Sequence, residues 1–132
     1  MTRTLLSFGH GYCARALAAR LMPEGWRVIG TTRTAEKADA IRATGAEAVI
    51  WPGTDLTPAL DAASHVLISA GPDADGDPVL RRLTGEIRAR AARFAWAGYL
   101  STTGVYGDRA GGWVDENAAC DPAPIMLGRR VR

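Results

Sequence analysis

The chain contains few of the residues that bind metal ions or form stabilising disulfides. It has only two cysteines and two histidines in 132 residues. Cys13 and Cys120 lie far apart and lack the short spacing of metal ligands, so we interpret them as reduced thiols and expect a cytoplasmic protein. Neither H-x-x-x-H, C-x-x-C nor a carboxylate cluster occurs, and no metal site is predicted.

Long apolar runs and a strong net charge are also missing. The apolar stretches are short and are interrupted by Gly, Pro or Arg, and the N-terminal segment MTRTLLSF lacks the layout of a signal peptide, so we expect no membrane association. A net charge of +2 gives no reason to expect a nucleic-acid partner. The arginines between positions 81 and 93 could form a phosphate-binding stripe, but we interpret them as a solvated helix face.

Apolar runs alternate with helical patterns along the chain, which is 47% hydrophobic. This alternation is typical of a parallel sheet with helices on both faces. We therefore predict an α/β fold forming one domain over residues 1–132, a Rossmann-like doubly wound sheet of about five strands in the order 3-2-1-4-5. Strands are expected over residues 4–8, 26–30, 46–51, 65–70 and 98–101, and residues after 101 are predicted to form a loop.

A glycine motif lies between the first predicted strand and the first predicted helix. Residues 9–14, GHGYCA, fit the pattern G-x-G-x-x-G/A in the context that dinucleotide-binding domains require. The first glycine permits a tight turn, the second lets a diphosphate approach the backbone, and the helix start offers N–H groups to it. The alternative is a purely structural turn. The residues predicted to bind the cofactor here are Gly9, His10, Gly11, Tyr12 and Cys13, with His10 interpreted as a loop residue and not as a catalyst.

The end of the second predicted strand bears on the choice between NAD and NADP. NAD-binding domains carry an acid about 20 residues after the glycines, whereas this chain has Thr31, Thr32 and Arg33 there. An acid would repel a 2′-phosphate, but an arginine can pair with it and threonines can donate hydrogen bonds to it. The sequence therefore predicts NADP as the cofactor, with NAD as the second choice.

The segment YLSTTGVYGDRAGGWVDENA resembles the S-S/T-x-x-V-Y-G…E segment of extended short-chain dehydrogenases/reductases, the NAD(P)-dependent epimerase/dehydratase group. Together with SFGHGYCARAL and GWRVIGTTR it is most similar to atypical members of that group, over essentially all of the chain. The resemblance implies a small-molecule substrate, a carbonyl compound or nucleotide-sugar, whose oxygen Thr102 would hold while Tyr106 shapes the site. It also implies cofactor contacts from Ser69, Ala70, Gly71 and Ser101.

The chain departs from the group's pattern in two ways. The group's proton donor is the Tyr of a Tyr-x-x-x-Lys motif, and the matching positions here are Leu127 and Val131, which cannot transfer a proton. Members of the group also continue beyond the position that matches Arg132 with a substrate-binding region. We therefore expect a truncated member with an uncovered sheet surface, which a homo-oligomer could cover. The alternative to an enzyme is a dinucleotide-binding module or remnant without catalysis.

Overall fold

The computed structural model describes residues 2–122, which form five strands and four α-helices. The helices and strands are β1 (Thr4–Phe8), α1 (Tyr12–Leu21), β2 (Arg27–Thr32), α2 (Ala35–Arg42), β3 (Glu47–Ile50), α3 (Thr57–Ala62), β4 (His65–Ile68), α4 (Pro78–Arg90) and β5 (Trp96–Tyr99). Short 3-10 turns cover Met22–Glu24, Ala91–Arg93 and Thr103–Tyr106. None of the helices within residues 2–122 is long and apolar enough to cross a membrane.

The five strands form one parallel sheet in the order β3-β2-β1-β4-β5. This confirms the predicted fold class and strand order. β1 is the central strand, and all five of its residues are buried. The chain order reverses between β1 and β4, so a crevice opens at their carboxyl ends, where ligands of such sheets bind.

Helices cover both faces of the sheet, and each face has its own apolar core. On one face, Leu5 and Val28 pack with α1 and α2 through residues such as Ala14 and Ile41. On the other face, Leu6, Phe8 and Val66 pack with α3 and α4, including Leu60 and Val79. The alternation follows from the strand period of two, because consecutive β1 residues point to opposite faces.

The predicted boundaries match the structure for β1 and differ by one or two residues for the other four strands. β3 is one residue shorter than predicted at each end, and β4 ends two residues before the predicted end at position 70. β2 continues two residues past the predicted end at position 30, and β5 begins and ends two residues before the predicted strand over 98–101. The helix α3 was not expected, since its six residues bury only Ala59 and Leu60 and provide too short a pattern for helical periodicity.

β5 is the least covered strand of the sheet. Trp96 and Tyr99 on this strand, and Leu100 directly after it, are each more than two-fifths exposed to solvent. The interior strands β1 and β4 pair on both sides, whereas within residues 2–122 β5 pairs only with β4. Within residues 2–122, the apolar side chains of β5 are therefore only partly covered.

Candidate functional site

The loop after β1 is held in a conformation that requires glycine at position 9. Gly9 has φ +74°, and a Cβ placed there would lie 2.7 Å from the backbone N and Cα of Ala70. Its N–H donates to Oγ1 of Thr31 at 3.1 Å, and its carbonyl oxygen accepts from the hydroxyl of Ser69 at 2.8 Å. Two side-chain hydroxyls, from Thr31 in β2 and from Ser69 directly after β4, thus fix the loop from both sides of β1.

The start of α1 is open to an approaching ligand. Gly11 is the N-cap residue, no side chain caps the helix, and its first turn carries no acid. A Cβ at Gly11 would meet only the carbonyl oxygen of Gly9, at 3.8 Å. The N–H groups and the positive dipole end of the first turn therefore face an accessible space, which is the physical requirement for binding an anion.

His10 belongs to this loop, and its side chain is buried between the loop and β2. Its side chain packs so closely on β2 that a Cβ at Gly30 would lie 2.6 Å from Cγ of the imidazole. Neither ring nitrogen has a hydrogen-bond partner within residues 2–122. Burial, and secondarily the charge of Arg15, lower the pKa of His10 below its ordinary value of 6.5. At neutral pH the imidazole is therefore uncharged and belongs to the floor of the loop.

The glycine loop opens into a cleft of about 610 Å³ at the carboxyl ends of the strands. The cleft brings together nine of the residues predicted from the sequence to bind the cofactor: Gly9, His10, Gly11, Thr31, Thr32, Arg33, Ser69, Ala70 and Gly71. Tyr12 and Cys13, in the first turn of α1, are exposed and lie outside its lining, as does Ser101 after β5.

The cleft is more basic than the sequence analysis predicted. Besides Arg33, four cationic side chains line it, whereas Asp73 is the one carboxylate in its lining within residues 2–122. The additional cations are Arg15, Lys37, Arg81 and Arg82. The structure therefore adds to the expected site a set of charges suited to a ligand with several negative charges.

Arg81 and Arg82 were interpreted from the sequence as part of a solvated helix face. They lie within the first five residues of α4, and this end of the helix adjoins the cleft because α4 follows β4, whose carboxyl end borders the crevice. The signal that could have identified them is their position, three and four residues after Pro78, at the start of a helix that follows the interior strand β4. The pattern of polar and apolar residues along a helix does not distinguish side chains that line a cleft from side chains on an open surface.

The predicted catalytic residues follow β5 at the same edge of the sheet but do not line the cleft. Thr102 is half-buried, and its hydroxyl accepts a hydrogen bond from the N–H of Gly104 at 3.3 Å. Ser101 donates its hydroxyl to the carbonyl oxygen of Thr102, also at 3.3 Å, and Tyr106 ends the 3-10 turn that follows. Positions 127 and 131, which match the Tyr and Lys of the group's motif, lie outside the described residues.

Metal-ligating side chains do not converge in the part of the chain that the structure covers. Residues 2–122 contain no group of three or more His, Cys, Asp or Glu side chains placed to hold a metal ion.

Several solved structures are similar to this chain. A functionally unknown conserved protein from Silicibacter pomeroyi is 57% identical with a TM-score of 0.86, over 92% of this chain and 43% of that one. Yeast methylglyoxal/isovaleraldehyde reductase, solved with NADPH, is 20% identical with a TM-score of 0.61, over 81% of this chain and 39% of that one. A Bordetella bronchiseptica enzyme, solved with NAD and UDP, is 20% identical with a TM-score of 0.66, over 92% of this chain and 44% of that one.

The chain has the fold of the NAD(P)-dependent epimerase/dehydratase group. The resemblance seen in the sequence is thereby confirmed, and the likeness to the enzymes at about 20% identity is a likeness of fold. The chain spans less than half of the length of the Silicibacter pomeroyi protein, the yeast reductase and the Bordetella bronchiseptica enzyme. No protein-family model and no curated protein matches it.

Proposed function

We propose that this chain binds NADP(H) and forms the cofactor-binding part of an oxidoreductase or epimerase that acts on a carbonyl compound or nucleotide-sugar. The observation that carries the proposal is the glycine loop, which leads from the central strand to the uncapped start of α1 and opens into a basic cleft. The support from relatives is that structures with this fold include one solved with NADPH and one solved with NAD.

The diphosphate of the cofactor is assigned to the loop between Gly9 and Gly11. No side chain caps the first turn of α1, so its N–H groups are available to phosphate oxygens. Arg15 lines the same part of the cleft and adds a positive charge. The hydroxyls of Thr31 and Ser69 already hold the loop in place, so cofactor binding costs little conformational entropy of the loop.

The preference for NADP over NAD rests on the side chains after β2. Arg33 and Lys37 both line the cleft, and neither forms an ion pair with a carboxylate within residues 2–122. A 2′-phosphate supplies up to two negative charges for these cations. Positions 31–33, at the end of β2, hold Thr, Thr and Arg, so no acid stands there to accept a hydrogen bond from the ribose hydroxyl of NAD.

The substrate end is assigned to the segment after β5. There the hydroxyl of Thr102 would hold the substrate oxygen, with Ser101 beside it and Tyr106 shaping the site. When bound, the nicotinamide ring supplies or accepts the hydride. We place the protein in the cytoplasm, because Cys13 and Cys120 are both free, exposed thiols, which a reducing compartment preserves.

The second candidate is a dinucleotide-binding module without catalysis of its own. It is favoured by one observation, the occurrence of Leu127 and Val131 where the group has its proton-transferring Tyr and Lys. Both candidates require cofactor binding, and they differ in turnover. Saturable NADPH binding with no oxidation across a panel of ketones and nucleotide-sugars would favour the second.

The test is a calorimetric or tryptophan-fluorescence titration of the chain with NADPH and NADH. We expect NADPH to bind more tightly. Arg33→Ala should weaken NADPH binding about tenfold or more and leave NADH binding nearly unchanged, because it removes a charge-assisted hydrogen bond to the 2′-phosphate. Arg20→Ala, on an exposed part of α1 outside the cleft, is the matched control.

Two outcomes would contradict the proposal. Tighter binding of NADH than of NADPH, or equal losses for both on Arg33→Ala, would remove the assigned role of Arg33. Absence of saturable binding for either nucleotide would leave the fold without the proposed function.

A further inference from the structure

We propose that Arg81 is a phosphate-binding residue of the cleft and that the carboxylate of Asp73 occupies it until a phosphate of the ligand takes its place. This inference rests on the proposed function and extends it. The ligand chemistry is a phosphate group of the dinucleotide, either the 2′-phosphate or the diphosphate.

Arg81 reaches the cleft from the other side of the sheet than Arg33 and Lys37 do. α2 packs on one face of the sheet and α4 on the opposite face. Both helices nevertheless contribute cations to one cleft, because both adjoin the carboxyl ends of the strands. An anionic ligand seated in the cleft would therefore meet positive charge from both faces.

Arg81 and Asp73 form a two-pronged ion pair. Nη1 of Arg81 lies 3.0 Å from Oδ1 of Asp73, and Nη2 lies 3.1 Å from Oδ2. This is the fork geometry with which an arginine also binds two oxygens of a phosphate. Asp73 holds the pKa of Arg81 above its usual range, and Arg81 holds the pKa of Asp73 below its own, so both groups are charged at neutral pH.

The turn that carries Asp73 presents its carboxylate to Arg81. The N–H of Asp73 donates to the carbonyl oxygen of Gly76 at 2.9 Å, and the N–H of Gly76 donates back at 3.1 Å. The N–H of Asp75 donates to Oδ1 of Asp73 at 2.9 Å. The carboxylate is thus held at the wall of the cleft by its own backbone turn, and its position does not depend on Arg81 alone.

A phosphate is able to replace the carboxylate. The side chains of Arg81 and Asp73 are 33% and 49% exposed, and ion pairs that solvent reaches to this extent are weak. The 2′-phosphate offers three terminal oxygens and up to two negative charges, and the two phosphates of the diphosphate together carry two negative charges, whereas a carboxylate carries one. Five cations face a single carboxylate in the described lining, so the cleft has positive charge in excess before any ligand arrives. Asp73 thereby reduces the affinity of the cleft for weaker anions while Arg81 stays correctly oriented.

The test measures dissociation constants for NADPH and NADH at low ionic strength. Asp73→Asn removes the charge but keeps an Oδ1 acceptor for the N–H of Asp75, so the turn is retained. We expect Asp73→Asn to tighten NADPH binding about threefold to tenfold and Arg81→Gln to weaken it about tenfold. In the Arg81→Gln background, Asp73→Asn should tighten NADPH binding less than it does in the wild-type protein, because only the repulsion between the carboxylate and the ligand is then removed. Arg88→Gln, on the same helix but outside the cleft lining, is the control.

The two nucleotides identify the phosphate. If Asp73→Asn tightens the binding of NADPH but not of NADH, Arg81 binds the 2′-phosphate. If it tightens the binding of both nucleotides equally, Arg81 binds the diphosphate. If the wild-type protein binds NADPH and the folded Asp73→Asn variant binds it equally or more weakly, the pair only holds the turn and the inference is wrong. If the wild-type protein binds neither nucleotide, the proposed function and this inference both fail.

Discussion

Gly9 and Gly11 are required for different reasons. Gly9 has a left-handed backbone and touches the backbone of Ala70, so any side chain there would disturb the contact between β1 and β4. Gly11 has φ −91°, and a Cβ there would make only an ordinary contact with the carbonyl oxygen of Gly9 at 3.8 Å. A methyl group at Gly11 would therefore fit the folded protein but fill the space through which a diphosphate approaches the start of α1.

Substituting each glycine by alanine distinguishes its contribution to stability from its contribution to nucleotide binding. Gly9→Ala should lower the free energy of unfolding by about 2 kcal/mol or more, from backbone strain and the clash with Ala70. Gly11→Ala should change it by about 1 kcal/mol or less but weaken NADPH binding about tenfold. Urea unfolding and nucleotide titration measure the two effects. Wild-type affinity in Gly11→Ala would mean that the loop is only a tight turn.

Asp77, the N-cap residue of α4, connects the start of this helix to β5. Oδ1 of Asp77 accepts hydrogen bonds from the N–H groups of Val79 and Leu80 at 2.8 and 3.0 Å. Its other oxygen accepts from the hydroxyl of Tyr99 at 2.6 Å. One carboxylate thus caps the helix and joins it to the sheet, which keeps Arg81 and Arg82 near the helix start at the wall of the cleft.

Asp77→Ala should lower the free energy of unfolding by about 1–2 kcal/mol, because it leaves two N–H groups of the helix start without their cap. Tyr99→Phe should have a smaller effect, since it removes one hydrogen bond and leaves the cap intact. Asp75→Ala, two residues earlier in the same loop, is the control. Chemical denaturation followed by circular dichroism measures all three variants. Equal stability of the Asp77 and Asp75 variants would show that the cap contributes nothing.

For the molecule as a whole, the most notable surface feature within residues 2–122 is the exposed apolar surface of β5. Trp96 is 46% exposed, and Tyr99 and Leu100 add to the same edge region. Burial of apolar area from water is favourable, and a sheet edge also offers unpaired backbone groups. We propose that copies of this chain associate through this surface.

Sedimentation velocity over a range of protein concentrations tests the association. The wild-type chain should show a rising proportion of oligomer with concentration, and Trp96→Arg should shift it to monomer, because a charge would be buried at the contact. Tyr12→Arg is the control, since Tyr12 is 90% exposed but lies on α1 away from β5. A chain that stays monomeric throughout, or an equal response to both substitutions, would contradict the proposal.

Much of the architecture could be predicted because its signals are local. The five apolar runs, the glycine pattern and the threonines at the end of β2 are short segments whose physical meaning depends on their immediate neighbours. The helix α3 was missed because six residues make fewer than two turns. The contact of His10 with Gly30 was missed because 20 residues separate them in the chain, and nothing in either segment indicates that an imidazole packs on that glycine.

The amino-acid pattern alone was enough to establish a parallel α/β sheet, its strand order and the place of the glycine loop, because hydrophobic periodicity and right-handed crossovers leave few topologies. Only the folded chain decided which charges share the cleft. Arg81 lies about 70 residues after Gly9 in the sequence, and it lines the same cleft because parallel strands bring their carboxyl ends to one edge. Its pairing with Asp73 depends in turn on how the loop after β4 folds back on α4, which sequence periodicity does not encode.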